Sequence, residues 1–305
     1  MPVGGAADLH VHTTASDGTW EPAEVVEEAA KRGLQAVAIT DHDTVNGVAS
    51  ACQAGERWGV AVVPGIELGA EAPAHGVTAA DEVTAAQEVH ILGYFIDPGS
   101  PALREVLENL VAGRRARAEH MLVRLEELGC PIRAGEIERL AKGGVPTRAH
   151  VARAMVGAGW VSSMADAFAL YLDRGRPAYV PRVHLTPVEA VRLVQAAGGC
   201  AVLAHPGLLR NDWFLPGLVE QGLAGIEVWY PEHDPGTVAH YLRLCARYGL
   251  IASGGSDCHG PGSGHGTRLG TIRVDVEVID GLRRASRQEN RPHRKNQKVE
   301  RGGTS

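Results

Sequence analysis

Short apolar runs that hand over to histidine, aspartate or glutamate constrain this 305-residue chain more than any other feature. Runs at 35–40 (QAVAIT), 60–63 (VAVV), 88–94 (EVHILGY), 200–204 (CAVLA), 224–229 (AGIEVW) and 250–253 (LIAS) have the length and composition of strands. Helical patterns alternate with them, over 22–32, 46–58, 187–197, 213–221, 236–248 and 277–287. Pro22 and Pro187 mark helix starts; Gly33, Gly129 and Gly249 mark stops. Such alternation predicts right-handed βαβ units around a parallel sheet or barrel.

The polar residues cluster at the strand ends. The N-terminal segment carries Asp8-Leu9-His10-Val11-His12 and then Asp17. Thr40-Asp41-His42-Asp43 follows the first run, and Pro64-Gly65-Ile66-Glu67 follows the second. His90 lies within 88–94, His205 follows 200–204, and Ser256-Asp257-Cys258-His259 follows 250–253. In a β/α barrel these positions share the C-terminal rim, where active sites are built. His10 and His12 are two apart on an extended segment, so they point the same way, as do Asp257 and His259. Imidazole and carboxylate without thiolate suit manganese, iron or zinc. The donors exceed what one ion needs and suit two or three, with a carboxylate such as Glu67 bridging. Alternation turns Cys258 away into packing, and His75, His120, His184, His233, His240, His265 and His293 are read as ordinary core or surface residues.

The alternation breaks between about 101 and 180, where four helices are expected at 102–128, 134–141, 147–158 and 163–173. The expected organisation is a discontinuous barrel, 6–100 and 181–282, with a helical cap, 101–180, and a basic, disordered tail, 283–305. The net charge is −6, but the tail carries +6, leaving −12 on the body. An acidic body does not suit broad duplex-DNA binding; the tail leaves room for an RNA-touching arm. Five scattered cysteines without a CxxC pair read as reduced thiols. With no long apolar run and no basic start before an apolar stretch, neither a membrane span nor a signal peptide is expected, and the expected location is cytoplasmic.

The runs DLHVHTTASDGT, TDHDTVNG, PGIEL, HILGY, AHP and GSDCHG resemble the PHP (polymerase and histidinol phosphatase) family of metal-dependent phosphoesterases, over residues 6–275. The resemblance implies an α/β fold, a distorted (β/α)7 barrel of the amidohydrolase-like group, with two or three divalent ions, manganese first and iron or zinc as alternatives. It implies that His10, His12, Glu67 and Asp257 hold one ion, and that Glu67, His90 and His205 hold a second. Asp17, His42 and His259 would hold a third; His75 rivals His90. Glu67, Asp257 and His205 would then stand nearest the chemistry, in-line attack on phosphorus by a hydroxide bridging two ions. Asp17 stands where some relatives, certain histidinol phosphatases among them, use histidine.

The segments VPTRAHVARAMV and SSMADAFALYLDRGRPAYVP are similar to a PHP subgroup that removes the 3′-phosphate of 3′,5′-bisphosphonucleotides or trims short 5′-phosphorylated RNA. That likeness implies phosphate contacts from Arg148, His150 and Arg176, with Tyr179 orienting the segment; the rival reading of Arg148 and Arg153 is a solvated helix face. Arg114 and Arg117 are expected on such a face. Two other expectations stay open: a phosphatase for histidinol phosphate or another small monoester, and a non-catalytic PHP binding module. A polymerase-associated nuclease would need a polymerase, for which the chain has no room.

Overall fold

The computed structural model describes residues 5–72, 87–141, 146–181, 184–209, 211–261 and 268–289. Strands β1 (Ala6–Val11), β2 (Ala36–Ile39), β3 (Ala61–Ala72), β4 (Gln87–Tyr94), β5 (Cys200–Leu203), β6 (Gly225–Trp229), β7 (Ile251–Gly254) and β8 (Val274–Asp275) form one sheet in the order β7-β6-β5-β4-β3-β2-β1-β8. The expected α/β barrel is thus present, with eight strands instead of seven because two residues of β8 pair antiparallel with β1. A bridge between Val11 and Cys258 joins β1 to the segment after β7 and nearly closes the barrel. There the His12 N–H donates to the Cys258 carbonyl at 2.9 Å.

Parallel pairing holds for β1–β2–β3 and for β5–β6–β7. Strand β4 runs antiparallel to both its neighbours, a departure from the all-parallel expectation. Its reversal has a consequence for chemistry. A reversed strand presents its N-terminal half at the rim, so His90 sits in the first half of β4, whereas His10 is near the end of β1 and His42, His205 and Asp257 follow β2, β5 and β7.

The helices around the sheet are α1 (Pro22–Lys31), α2 (Val48–Trp58), α7 (Pro187–Ala196), α8 (Leu215–Glu220), α9 (Pro235–Tyr248) and α10 (Glu277–Glu289). Local chemistry fixes their ends. Pro22 and Pro187 open α1 and α7 behind capping boxes, Glu21 with Glu24 and Thr186 with Glu189. Asp234 caps α9 by accepting from the Thr237 N–H at 2.7 Å, and Gly249 ends it at φ 68°. Buried Leu282 anchors α10, which runs past residue 282, so 283–289 are helical rather than part of a tail. Residues 290–305 lie outside the described ones.

Between β4 and α7 come α3 (Pro101–Glu127), α4 (Ala134–Ala141), α5 (Arg148–Gly157), α6 (Met164–Ala167) and a π-helical segment, Phe168–Leu172. These helices have a core of their own: Met121 and Leu125 of α3, Ile137 of α4, Val151 and Met155 of α5, and Leu172. It is separate from the apolar clusters that pack the barrel helices onto the sheet. No described helix is long and apolar enough to cross a membrane.

Candidate metal centre

The β1 sequence Ala6–Val11 is almost wholly buried, so its alternation sends His10 to the barrel interior, and His12 follows on the same side. Four donor atoms from three places in the chain meet there. His10 Nε2 lies 3.1 Å from His12 Nε2, 3.2 Å from Glu67 Oε2 and 3.4 Å from Asp257 Oδ1. His12 Nε2 lies 3.1 Å from both Glu67 Oε2 and Asp257 Oδ1. The close approach of β1 to the loop after β7 needs Gly255, where a Cβ would lie 2.3 Å from the His10 Cβ.

Glu67 is 1% exposed and sits at the centre. Its Oε1 faces His90 Nδ1 at 2.8 Å and His205 Nε2 at 3.1 Å. Its Oε2 faces His10, His12 and, at 3.1 Å, His42 Nδ1. A third group gathers on the outer side: Asp17 Oδ1 is 3.3 Å from His259 Nε2 and 3.8 Å from His12 Nδ1, while Asp17 Oδ2 is 3.9 Å from His42 Nε2. All nine candidate donors, His10, His12, Asp17, His42, Glu67, His90, His205, Asp257 and His259, therefore fall in one cluster. His42 belongs both to the outer group and to a set with Glu67 and His90. His75, the rival to His90, lies outside the described residues.

The donor set fits divalent cations. Ligands about 2.0–2.1 Å from a common ion lie roughly 3.0–3.4 Å from one another in octahedral or tetrahedral arrangements. The distances from the His10 and His12 Nε2 atoms to each other and to the Glu67 and Asp257 oxygens, 3.1–3.4 Å, have this spacing. Two buried imidazole nitrogens, His12 Nδ1 and His205 Nδ1, have no hydrogen-bond partner among the described residues. The His259 Nδ1 lies 3.0 Å from the Asp257 carbonyl, which leaves the Nε2 lone pair on the side of Asp17 Oδ1, 3.3 Å away.

The electrostatics point the same way. Burial would raise the Glu67 carboxyl, but the imidazoles of His42, His10 and His90 hold it well below the usual range. Burial also opposes charge on His10 and His12. It is outweighed by Glu227, Glu67 and Asp257 at His10, and by Asp257 and Glu67 at His12, which rises to about 9. Glu67 and Glu88 likewise raise His90 to about 10 against its burial. At His42 burial wins and pushes the imidazole down to about 3. The central carboxylates demand positive charge around them, which cations provide without protonating the ligands.

Among the described residues, three of the four non-glycine positions with left-handed backbone are in this cluster or beside it: Asp43 (φ 49°), His205 (φ 26°) and Asp257 (φ 51°). Such conformations cost about 1–3 kcal/mol each and concentrate at functional sites.

A cavity of about 1930 Å³ opens over the cluster, bounded by Asp17, His42 and His90 on one side and by helices α3 and α5 on the other. Arg148 and His150 line it; the Arg148 guanidinium lies 5.8 Å from the centre of the Phe168 ring. His150 Nδ1 accepts from the Thr147 N–H at 3.1 Å, which puts its proton on Nε2. Tyr179 lines the cavity, but Arg176 is exposed in the turn before it and does not. Arg174, two residues earlier, takes that wall and pairs with Glu71 at 2.7 Å.

The solvated-face reading of Arg114 and Arg117 is overturned. Arg114 is 17% exposed, lines the cavity and pairs with Asp43, the neighbour of His42. Arg117 donates to the Val180 carbonyl at 2.7 Å. His184 is also more than a surface residue, with Nε2 2.8 Å from Glu71 Oε2 on the cavity wall. Two residues went unread in the sequence: Glu227, fully buried against His10, and Tyr230, whose hydroxyl donates to Asp257 Oδ2 at 2.9 Å.

Residues 8–127 match the PHP domain family. The chain is 37% identical over 261 residues to the 5′-3′ exoribonuclease Rnm of Escherichia coli, covering 83% of this chain and 85% of that one. It is 37% identical over 258 residues to a phosphoribosyl 1,2-cyclic phosphate 1,2-diphosphodiesterase of Eggerthella lenta (83% and 94%). It is 36% identical over 266 residues to the 3′,5′-nucleoside bisphosphate phosphatase of Chromobacterium violaceum (84% and 88%). Among solved structures, a Bifidobacterium adolescentis protein described as a metal-dependent phosphoesterase superposes with a TM-score of 0.75 at 32% identity, covering 93% of this chain and 97% of that one. With the donor cluster, the rim position and these likenesses together, the chain belongs to the PHP family and is a metal-dependent phosphoesterase, a hydrolase of phosphate esters.

Proposed function

We propose that the protein removes the 3′-phosphate of 3′,5′-bisphosphonucleotides, such as 3′-phosphoadenosine 5′-phosphate, using two or three ions, manganese first. The observation that carries this reading is one cavity with a cation-binding type of cluster on one wall and cationic side chains on the other. The barrel wall presents the imidazole and carboxylate cluster; the wall opposite presents Arg148 and His150. A substrate with two phosphates separated by a ribose engages both walls, whereas a monophosphate engages one. Binding at the remote phosphate then positions the reacting one.

In this reading His10, His12, Glu67 and Asp257 hold one ion, Glu67, His90 and His205 a second, and Asp17, His42 and His259 a third. Ions bound there supply Lewis-acid charge to phosphoryl oxygens and activate water near neutral pH. The protein's own work is positional. Glu67 turns one oxygen to each of two imidazole sets, Tyr230 holds Asp257 from behind, and Asp43 tethers Arg114 at the rim. Arg148 supplies one cap cation among several arginines on the cavity wall, Arg114 and Arg174 included, and His150 an Nε2–H donor. The barrel is assigned to 6–100 and 181–282 and the cap to 101–180. The five free cysteines support a cytoplasmic setting.

The cavity also favours a second activity at the same site, trimming of short 5′-phosphorylated RNA. Its volume of about 1930 Å³ exceeds the roughly 300–1,000 Å³ of an ordinary small-molecule pocket and has room for more than one nucleotide. The test is hydrolysis with Mn²⁺, read as inorganic phosphate from bisphosphonucleotides, mononucleotides and histidinol phosphate, and by chromatography as the ring-opened sugar phosphate from a ribose 1,2-cyclic phosphate and as released mononucleotide from short 5′-phosphorylated RNA. The reading expects the bisphosphonucleotide to be turned over best. A best rate on histidinol phosphate or on the cyclic phosphate overturns the substrate assignment, and no turnover of any ester leaves a binding module.

A further inference from the structure

Glu227 lies in the middle of β6, fully buried in an otherwise apolar strand. Burying a carboxylate is costly unless each oxygen is engaged, and both are. Oε1 lies 3.0 Å from His10 Nδ1, and Oε2 accepts the His205 backbone N–H at 2.7 Å. The two partners serve opposite sides of Glu67. His10 Nε2 faces the set with His12 and Asp257, and His205 Nε2 faces Glu67 Oε1.

A carboxylate only accepts hydrogen bonds. Set against His10 Nδ1, it keeps the proton on Nδ1 and leaves the Nε2 lone pair pointing at the other three donors. Its second oxygen holds a residue whose φ of 26° is unfavourable for any side chain. Without that acceptor the His205 backbone has less reason to stay where its imidazole meets Glu67.

We propose that Glu227 is a positioning residue shared by two cation sites, fixing the ligating tautomer of His10 and the backbone of His205 at once. This rests on reading the His10/His12/Glu67/Asp257 and Glu67/His90/His205 sets as divalent-cation sites.

The decisive substitution is Glu227→Gln, which keeps the shape and removes one acceptor. If the amide oxygen stays on the His205 N–H, its NH₂ faces His10 Nδ1. The imidazole must then move its proton to Nε2, the ligating atom. If the amide flips, two donors confront each other at His205. Either way one set is impaired while the fold keeps its volume.

The test is calorimetric titration of metal-stripped full-length protein with Mn²⁺ and Zn²⁺, with ¹⁵N-histidine spectra of the Zn²⁺-loaded forms. The expected wild-type spectrum has His10 protonated at Nδ1 with Nε2 bound to the ion. Glu227→Gln is expected to lose about 10- to 100-fold in affinity for at least one ion, the usual cost of losing such a partner. Glu227→Asp, which retains a carboxylate, should recover part of the loss; this arm stands if the glutamine variant does not fold. Undiminished affinity for every ion in Glu227→Gln (or, if that variant does not fold, in Glu227→Asp, whose shorter side chain cannot reach both partners), or a wild-type His10 bound through Nδ1, overturns the proposal alone. A wild type that binds no cation overturns the site reading and the proposal with it.

Discussion

Replacing Glu67 by glutamine is the sharpest single perturbation of the centre. Its oxygens lie within 2.8–3.2 Å of five imidazoles: His90 and His205 on Oε1, and His10, His12 and His42 on Oε2. Glutamine has nearly the same shape, so neither a cavity nor a clash follows. It removes one negative charge and turns one of the two oxygens into an NH₂ that cannot bind a cation. A unit charge about 4 Å away at an effective dielectric near 20 is worth about 4 kcal/mol. That predicts roughly a 10³-fold weaker hold on the ion facing the amide nitrogen, with kcat falling by at least as much if both ions are needed. Metal content by plasma mass spectrometry and turnover of a bisphosphonucleotide measure the two effects. Two full equivalents of retained metal with kcat within threefold of wild type would refute a bridging Glu67.

Arg148→Ala should raise KM for the bisphosphonucleotide by about 10- to 150-fold, since a hydrogen bond to a charged group is worth about 1.5–3 kcal/mol. Metal content and KM for a monophosphate should stay unchanged; an unchanged bisphosphonucleotide KM would move Arg148 to a solvated face. In metal-stripped protein, His12 and His90 sit at about 9 and about 10, above the unfolded value near 6.5. The stability they contribute is full below pH 6.5 and lost as pH rises through 9 to 10. The urea midpoint should therefore fall from pH 6.5 to 10 without metal and fall less with saturating Mn²⁺; the same slope in both states would contradict ligation by these imidazoles. Removing residues 290–305, beyond α10, should leave bisphosphonucleotide kcat/KM within twofold.

The candidate donors were legible because barrel geometry converts a linear pattern into a place. Apolar runs ending in His, Asp or Glu put those residues at one rim, whatever their separation in the chain. The direction of β4 was not legible, because a strand's composition does not carry its orientation and the reversal follows from pairing with β3 and β5. Glu227 was passed over because it sits inside GIEVW with no polar neighbour. The available signal was the carboxylate itself, which an apolar strand tolerates only with partners at both oxygens. Arg114 is hard to place from sequence because GRRARAE reads as a solvated segment although 114 falls on the buried face of α3, one turn from both Leu110 and Ala118; only packing reveals that it reaches Asp43. Arg176 and Arg174 differ by two residues in a turn, where no periodicity tells which side chain faces inward.

The central claim, that this cluster holds the ions that hydrolyse a phosphate ester, is tested most directly by anomalous diffraction from Mn²⁺-soaked crystals. The account predicts at least two anomalous peaks flanking Glu67, one between His10, His12 and Asp257 and one between His90 and His205. Peaks elsewhere in the molecule, or a single ion that does not touch Glu67, would contradict it.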